Sequence, residues 1–226
     1  MFDKDFKMIF WLFTKKGNKS IKKSLDEITF SVSHGEIVGV IGRNGAGKST
    51  LMKIVAGITF PTDGCLEVNG KVGSLINLNA GFNPAYTGRE NIYYKAKLLD
   101  YSNSFIDSII DDIIEFAELE DYFDLPLKTY SSGMKARLGF SLAIFTNPDI
   151  LIIDEVFAVG DKKFKEKSKK KVMELFNSGK SVLFASHSES LIREFCTKAI
   201  YIDQGKIVYD GDVEEAIKRY NSDVCR

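Results

Sequence analysis

No stretch of this sequence approaches the roughly 20 consecutive apolar residues that an α-helix needs to cross a bilayer, so no membrane span is expected. Charge of one sign is also missing. Lys and Arg together number 31, as do Asp and Glu, and the balance leaves no net field to draw the whole protein onto nucleic acid. Partners are therefore sought in local sites. Cysteine is scarce: Cys65, Cys196 and Cys225 stand far apart, with neither CxxC nor metal-ligand spacing. That pattern suits reduced thiols in a cytoplasmic protein, and Cys196, set in an apolar run, reads as core. The sequence shows no internal repeat and no low-complexity linker. Its 226 residues suffice for one α/β domain with a small inserted helical part, without a second domain of ordinary size. A hydrophobic content of 44% excludes wholesale disorder.

The most apolar segment near the start, Met8-Ile9-Phe10-Trp11-Leu12-Phe13, is preceded by Lys7 and followed by Lys15 and Lys16. It is too short to span a bilayer, and no small-residue cleavage site follows it. Two readings of residues 1–23 stand side by side: an amphipathic element facing a membrane or partner, and a helix covering the domain's own core.

Hydrophobic patterning then sets out an α/β order. Residues 25–32 (LDEITFSV) alternate as a half-buried strand does, and 36–41 (EIVGVI) form a short buried strand. Thr62-Asp63-Gly64 and Asn69-Gly70 bracket a short antiparallel strand expected at 65–68. From about 88 to 147 the chain turns helical, with Ile106, Ile109, Ile110, Ile113 and Ile114 on one helix face. Residues 149–154 and 181–185 read as two further buried strands separated by a Lys-rich helix. A closing hairpin at 199–209 and a helix near 212–220 complete the pattern.

The strand at 36–41 opens directly into Gly42-Arg43-Asn44-Gly45-Ala46-Gly47-Lys48-Ser49-Thr50, which fits GxxxxGK[ST] between a strand and a helix. In such a loop, backbone N–H groups point at a phosphate and the following helix adds the positive end of its dipole. Lys48 is placed to reach the β/γ-phosphates of ATP and Ser49 to ligate Mg²⁺. About 100 residues later a buried strand ends in Asp154 and Glu155. Asp154 would face the metal, while Glu155 would orient or deprotonate an attacking water. His187 follows the strand at 181–185, at the edge where α/β sheets bind ligands, and would donate to a γ-phosphate oxygen and hold Glu155 and the water in place.

Tyr130-Ser131-Ser132-Gly133-Met134, at the head of a helix, resembles the signature motif of ABC ATPases. The order of phosphate loop, signature, DILIIDE and histidine strengthens the resemblance, which runs from about residue 24 to the C-terminus. It implies a P-loop NTPase fold with a RecA-like parallel sheet, a small antiparallel β part and a helical subdomain at 88–147. It also implies a homodimer in which Ser131, Ser132 and Gly133 face the nucleotide of the other subunit, with Asp161 in the D-loop. Ala80-Gly81-Phe82-Asn83-Pro84, Thr87-Gly88-Arg89-Glu90-Asn91, 123–140 and 154–167 resemble the branch that exports capsular polysaccharide or lipopolysaccharide O-antigen, with teichoic-acid exporters as relatives.

The resemblance implies ATP hydrolysis at the cytoplasmic face of the membrane, coupled to a separate integral membrane permease in two copies. The permease would dock on the 80–91 loop and the helices around Tyr93 and Tyr94. Segment 77–91 holds no glutamine, and Asn77 is put forward for the metal-sensing place. Phe2, Phe6, Phe10 and Trp11 are alternatives for an adenine-stacking aromatic, since 1–23 offers no convincing first strand. A C-terminal carbohydrate-binding domain is not expected. Neither is nucleic acid: Lys162, Lys163, Lys165, Lys167, Lys169, Lys170 and Lys171 read as a solvated helix face.

Overall fold

The computed structural model describes residues 7–8, 23–154 and 160–224. In chain order the elements are β1 (Lys7–Met8), β2 (Phe30–Ser31), β3 (Ile37–Ile41), α1 (Lys48–Val55), β4 (Val72–Ser74), α2 (Gly88–Leu98), α3 (Asn103–Asp107) and α4 (Ile110–Ala117). They continue as α5 (Ser132–Phe145), β5 (Ile150–Asp154), α6 (Lys162–Phe176), β6 (Ser181–Ala185), α7 (Glu189–Phe195), β7 (Lys198–Asp203), β8 (Lys206–Gly211) and α8 (Val213–Val224). The chain divides into two compact units, one drawn from residues up to 72, 149–154 and 176 onward, the other from 73–148 and the residues of 160–175.

Within the first unit the strands run β5-β6-β3-β7-β8, parallel except for β8, which returns antiparallel on β7 through the turn at Gln204 and Gly205. The central strands are short runs of Ile, Val, Leu and Ala, as expected for strands covered on both faces. Helix α1 packs on β5 and β6, and α8 on β7, β8 and β3. β1 and β2 form a separate antiparallel pair, Lys7 opposite Ser31 and Met8 opposite Phe30. A first strand thus exists at Lys7–Met8, where sequence patterning shows none, because two residues are too few to print an alternation.

Two other expectations change. Regular strand at 25–32 is confined to Phe30–Ser31. Residues 65–68 form no strand; the extended segment begins at Val72, after the Lys71 N–H has bonded the Asp149 carboxylate (2.9 Å) and the Lys71 carbonyl has accepted from the Asp149 and Ile150 N–H groups.

The second unit is helical. Thr87 and Glu90 cap α2 reciprocally: Oγ1 of Thr87 accepts from the Glu90 N–H (3.1 Å), and the Glu90 carboxylate accepts from the Thr87 N–H (2.8 Å). The isoleucine stripe at 106–114 is split between α3 and α4. There Ser108 Oγ donates to the Phe105 carbonyl (2.6 Å) and Ile109 leaves helical geometry at φ −124°. Ile106, Ile110 and Ile113 nevertheless share one core with Ile92, Leu138 and Leu142. Burying each such side chain stabilises the unit by about 1.5–3 kcal/mol.

Candidate functional site

In the first unit the strand registers bring the sequence motifs to one edge of the sheet. Val40 pairs with Ala185 and Ala185 with Asp154, so β3, β6 and β5 end in one row. With neighbouring strands about 4.8 Å apart, Asp154 stands roughly 10 Å from the start of the glycine loop, with the exit of β6 between them. That exit carries Ser186 and His187, which line a small hollow with Ile41, Gly42, Glu189 and Tyr220. The phosphate loop, Asp154 and His187 are therefore gathered at the carboxyl ends of parallel strands, where open α/β sheets bind ligands. Glu155, the expected water-orienting residue, and Phe2, Phe6, Phe10 and Trp11 lie outside the described residues.

The loop owes its shape to local geometry. Gly47, the residue before α1, has φ +113°, and a Cβ there would meet the Ser24 carbonyl oxygen at 2.6 Å, so glycine is required on both counts. The Gly205 N–H donates to the Ala46 carbonyl (2.8 Å), and the Gly205 carbonyl accepts from the Asp26 N–H (2.7 Å), clasping the loop to the β7–β8 turn. Buried Lys48 donates from Nζ to the carbonyls of Gly42 (2.6 Å) and Arg43 (3.1 Å), which keeps its ammonium beside the loop. Arg43 donates to the Asp223 carbonyl in the last turn of α8, where the helix dipole favours a cation. Asn44, Gly45 and Ser49 are exposed, and Thr50 and Asp154 half-buried. Ser49 in the first turn of α1 and Asp154 at the strand end offer the hydroxyl and carboxylate oxygens that a hard cation such as Mg²⁺ takes.

The second unit carries a distinct cleft of about 750 Å³ lined by Asn77, Asn79, Ser131, Ser132, Gly133 and Asp161, among others. Ser131 is the N-cap of α5, its Oγ accepting from the Met134 N–H at 3.1 Å. A Cβ added at Gly133 would meet only Ser131 Oγ, at 3.8 Å, so this turn is open on the cleft side. Asp161 caps α6, accepting from the Phe164 N–H (2.9 Å), and pairs with Arg137 (2.5 Å). The Phe164 amide, with Arg137 adding to it, holds its carboxyl below the usual range.

Sequence reading missed Arg137, which also reaches Glu118 (3.1 Å) and joins Lys163 and Lys167 around that carboxylate. Its place one turn beyond Gly133 was the available signal. Its partners lie 19 and 24 residues away and leave no periodic trace. The outer surface of this unit exposes Tyr86, Tyr94 and Leu98, with the two tyrosine rings edge to face at 5.9 Å. Among the described residues no helix is long and apolar enough to cross a membrane.

Known proteins are similar to this chain in sequence and fold. The ABC transporter family matches residues 25–158. A shorter match, to the N-terminal domain of microtubule associated protein 10, covers 135–214. The teichoic acids export ATP-binding protein TagH of Lactococcus lactis subsp. lactis (strain IL1403) is 49% identical over 197 residues, covering 87% of this chain and 42% of that protein. The O-antigen export system ATP-binding protein RfbB of Klebsiella pneumoniae is 43% identical over 205 residues, covering 91% of this chain and 82% of that protein. The chain spans 38–44% of the length of four TagH relatives it matches. A solved ATP-binding subunit of an ABC transporter superposes with a TM-score of 0.76 at 21% identity, covering 96% of this chain and 92% of that one, a likeness of fold.

Proposed function

This chain belongs to the ABC transporter family of ATP-binding proteins, and from that premise we propose that it hydrolyses ATP to drive export of a surface polymer. The cargo class is a teichoic acid or an O-antigen- or capsule-type polysaccharide. The chain works as a homodimer at the cytoplasmic face of the membrane, beneath two copies of a separate permease.

In this reading the first unit grips the triphosphate. Loop amides from Gly42 to Lys48 and the N-terminus of α1 face the phosphates, and the Lys48 ammonium neutralises them. Ser49 and Asp154 would hold the accompanying Mg²⁺, which stabilises charge on the phosphate oxygens. Glu155 orients the attacking water and takes up its proton, and His187 donates to a γ-phosphate oxygen. The helical part at 88–147 is the inserted subdomain. Ser131, Ser132 and Gly133 bind the γ-phosphate held by the other subunit, with Asp161 and Asn77 beside them. Tyr86, Tyr94 and Leu98 meet the permease.

One observation carries the proposal: the chain has two glycine-containing turns at helix N-termini, the kind of turn that suits an anion, on separate compact units. Within the first unit, the phosphate loop, Asp154 and His187 share a single sheet edge. Within the second, the Ser131 turn opens on a cleft. The exporter class rests on the 49% and 43% identities to TagH and RfbB. The test is phosphate release from ATP by the purified chain, alone and with membranes containing the permease. Stimulation by those membranes supports the exporter; hydrolysis indifferent to them points to a soluble ATPase, and no hydrolysis in either case ends the proposal.

A further inference from the structure

We propose that Lys95 is a positioning residue for ATP turnover, tying the floor of the Ser131 cleft to the helix whose outer edge carries Tyr94 and Leu98. The inference deepens the ATPase reading above and rests on it. Lys95 lies on α2 and donates from Nζ to the Leu78 carbonyl at 2.9 Å, with the Phe82 ring 4.7 Å from the same ammonium. Leu78 lies between Asn77 and Asn79, and all three line the cleft with Ser131.

The same carbonyl is approached from the opposite partner, α5. A Cβ placed on Gly139 would meet the Leu78 oxygen at 2.3 Å, so the helix headed by Ser131 passes this carbonyl with no room for a side chain. Leu78 is thus held between α2 and α5. A displacement of α2 acts on this carbonyl through Lys95, and the carbonyl in turn bears on the helix that presents the signature turn.

The placement of a cation here is itself informative. Burial lowers the proton affinity of Lys95, to a pKa of about 8, with no carboxylate among the causes to offset it. An apolar side chain of similar length would occupy the site without that desolvation cost. What it would lack is the bond to Leu78. One turn earlier, Asn91 fixes the next part of the loop through Asn83, Tyr86 and Thr87, so α2 holds the 78–87 segment at two successive turns.

The experiment compares Lys95→Met and Lys95→Arg in the full chain, measuring kcat and KM for ATP with permease-containing membranes, and urea unfolding. Lys95→Met should unfold at a urea midpoint no lower than wild type, since it escapes the desolvation cost, and keep KM within about twofold, because the phosphate loop belongs to the other unit, while kcat falls about tenfold. Lys95→Arg, which keeps donor and charge, should restore at least half of kcat. Gly139→Ala presses on the same carbonyl from α5 and should lower kcat in the same way, which decides the matter if the Met variant does not fold. Wild-type kcat in the Met or the Ala variant overturns the inference while leaving ATP hydrolysis intact. A wild-type protein without ATP turnover overturns the underlying proposal instead.

Discussion

Replacing Asn91 by Asp changes one atom's chemistry in a site with no slack. Asn91 is fully buried; its Oδ1 accepts from the Asn83 N–H at 2.6 Å, and its amide donates to the carbonyls of Asn83 (3.0 Å), Tyr86 (3.1 Å) and Thr87 (2.8 Å). Aspartate keeps the shape and the first bond, but turns a second acceptor toward three carbonyl oxygens. The amide has two hydrogens to share among these carbonyls, so losing them costs about 2 kcal/mol, and the unpaired buried charge adds about as much, giving roughly 4 kcal/mol in all. For a chain of this size that lowers Tm by roughly 10 °C.

The facing carbonyls raise the proton affinity of the new carboxyl in the folded state. The penalty is therefore present above its raised pKa and shrinks as pH falls toward about 4, where the introduced carboxyl takes up a proton and regains one donor. Thermal unfolding of Asn91→Asp beside wild type at about pH 7 and about pH 4.5 measures both effects. A Tm within about 2 °C of wild type at the higher pH would refute the reasoning.

Other substitutions read other parts of the account. Lys48→Met should reduce ATP turnover by roughly a hundredfold or more, since on the proposed function it removes the ammonium that neutralises the transferring phosphate; phosphate release measures it. Lys95 should add stability to the wild type as pH goes from about 8 to 10.5, because its folded form releases the proton there while the unfolded chain keeps it, against an opposite contribution from Cys196, whose thiol burial pushes up to about 12. The gain is at most about 3 kcal/mol, and urea titrations of Lys95→Met should lack that slope. Arg137→Met should cost no more than about 1 kcal/mol, because both of its carboxylate partners are substantially exposed, yet it should lower kcat by loosening Asp161 at the cleft.

The parallel core was legible because buried strands announce themselves as short runs of Ile, Val and Leu, and the glycine loop because its glycine spacing is the one a strand–loop–helix phosphate cradle requires. Residues 150–154 and 181–185 show this directly. Shorter features were not legible. A two-residue strand at Lys7–Met8 carries no period, and the expected strand at 65–68 lost its place to a segment starting at Val72, fixed by bonds from Lys71 to a residue 78 positions away. In the isoleucine stripe the periodicity marked the buried face correctly but not the break at Ser108, where a single hydroxyl competes for the Phe105 carbonyl.

The candidate site divides in the same way. The motif residues could be singled out in the sequence because their type and spacing follow from the chemistry expected of them. Arg137, Asn91 and Lys95 meet carbonyls and carboxylates brought close only by folding. The Thr87-Gly88-Arg89-Glu90-Asn91 run was distinctive in sequence; the structure gives it physical content. Thr87 and Glu90 cap α2, Arg89 pairs with Asp124 (2.7 Å) and lies over the Phe123 ring, and Asn91 ties down the loop.

The most direct measurement is the mass of a Glu155→Gln protein in solution with and without Mg-ATP, by light scattering. If triphosphate is gripped by the Lys48 loop of one subunit and the Ser131 turn of its twin, slow hydrolysis should trap the pair. Mass should then double on adding ATP, and a further Ser131→Arg substitution should abolish the doubling. A variant that binds ATP, turns it over at the wild-type rate and stays monomeric would contradict the account.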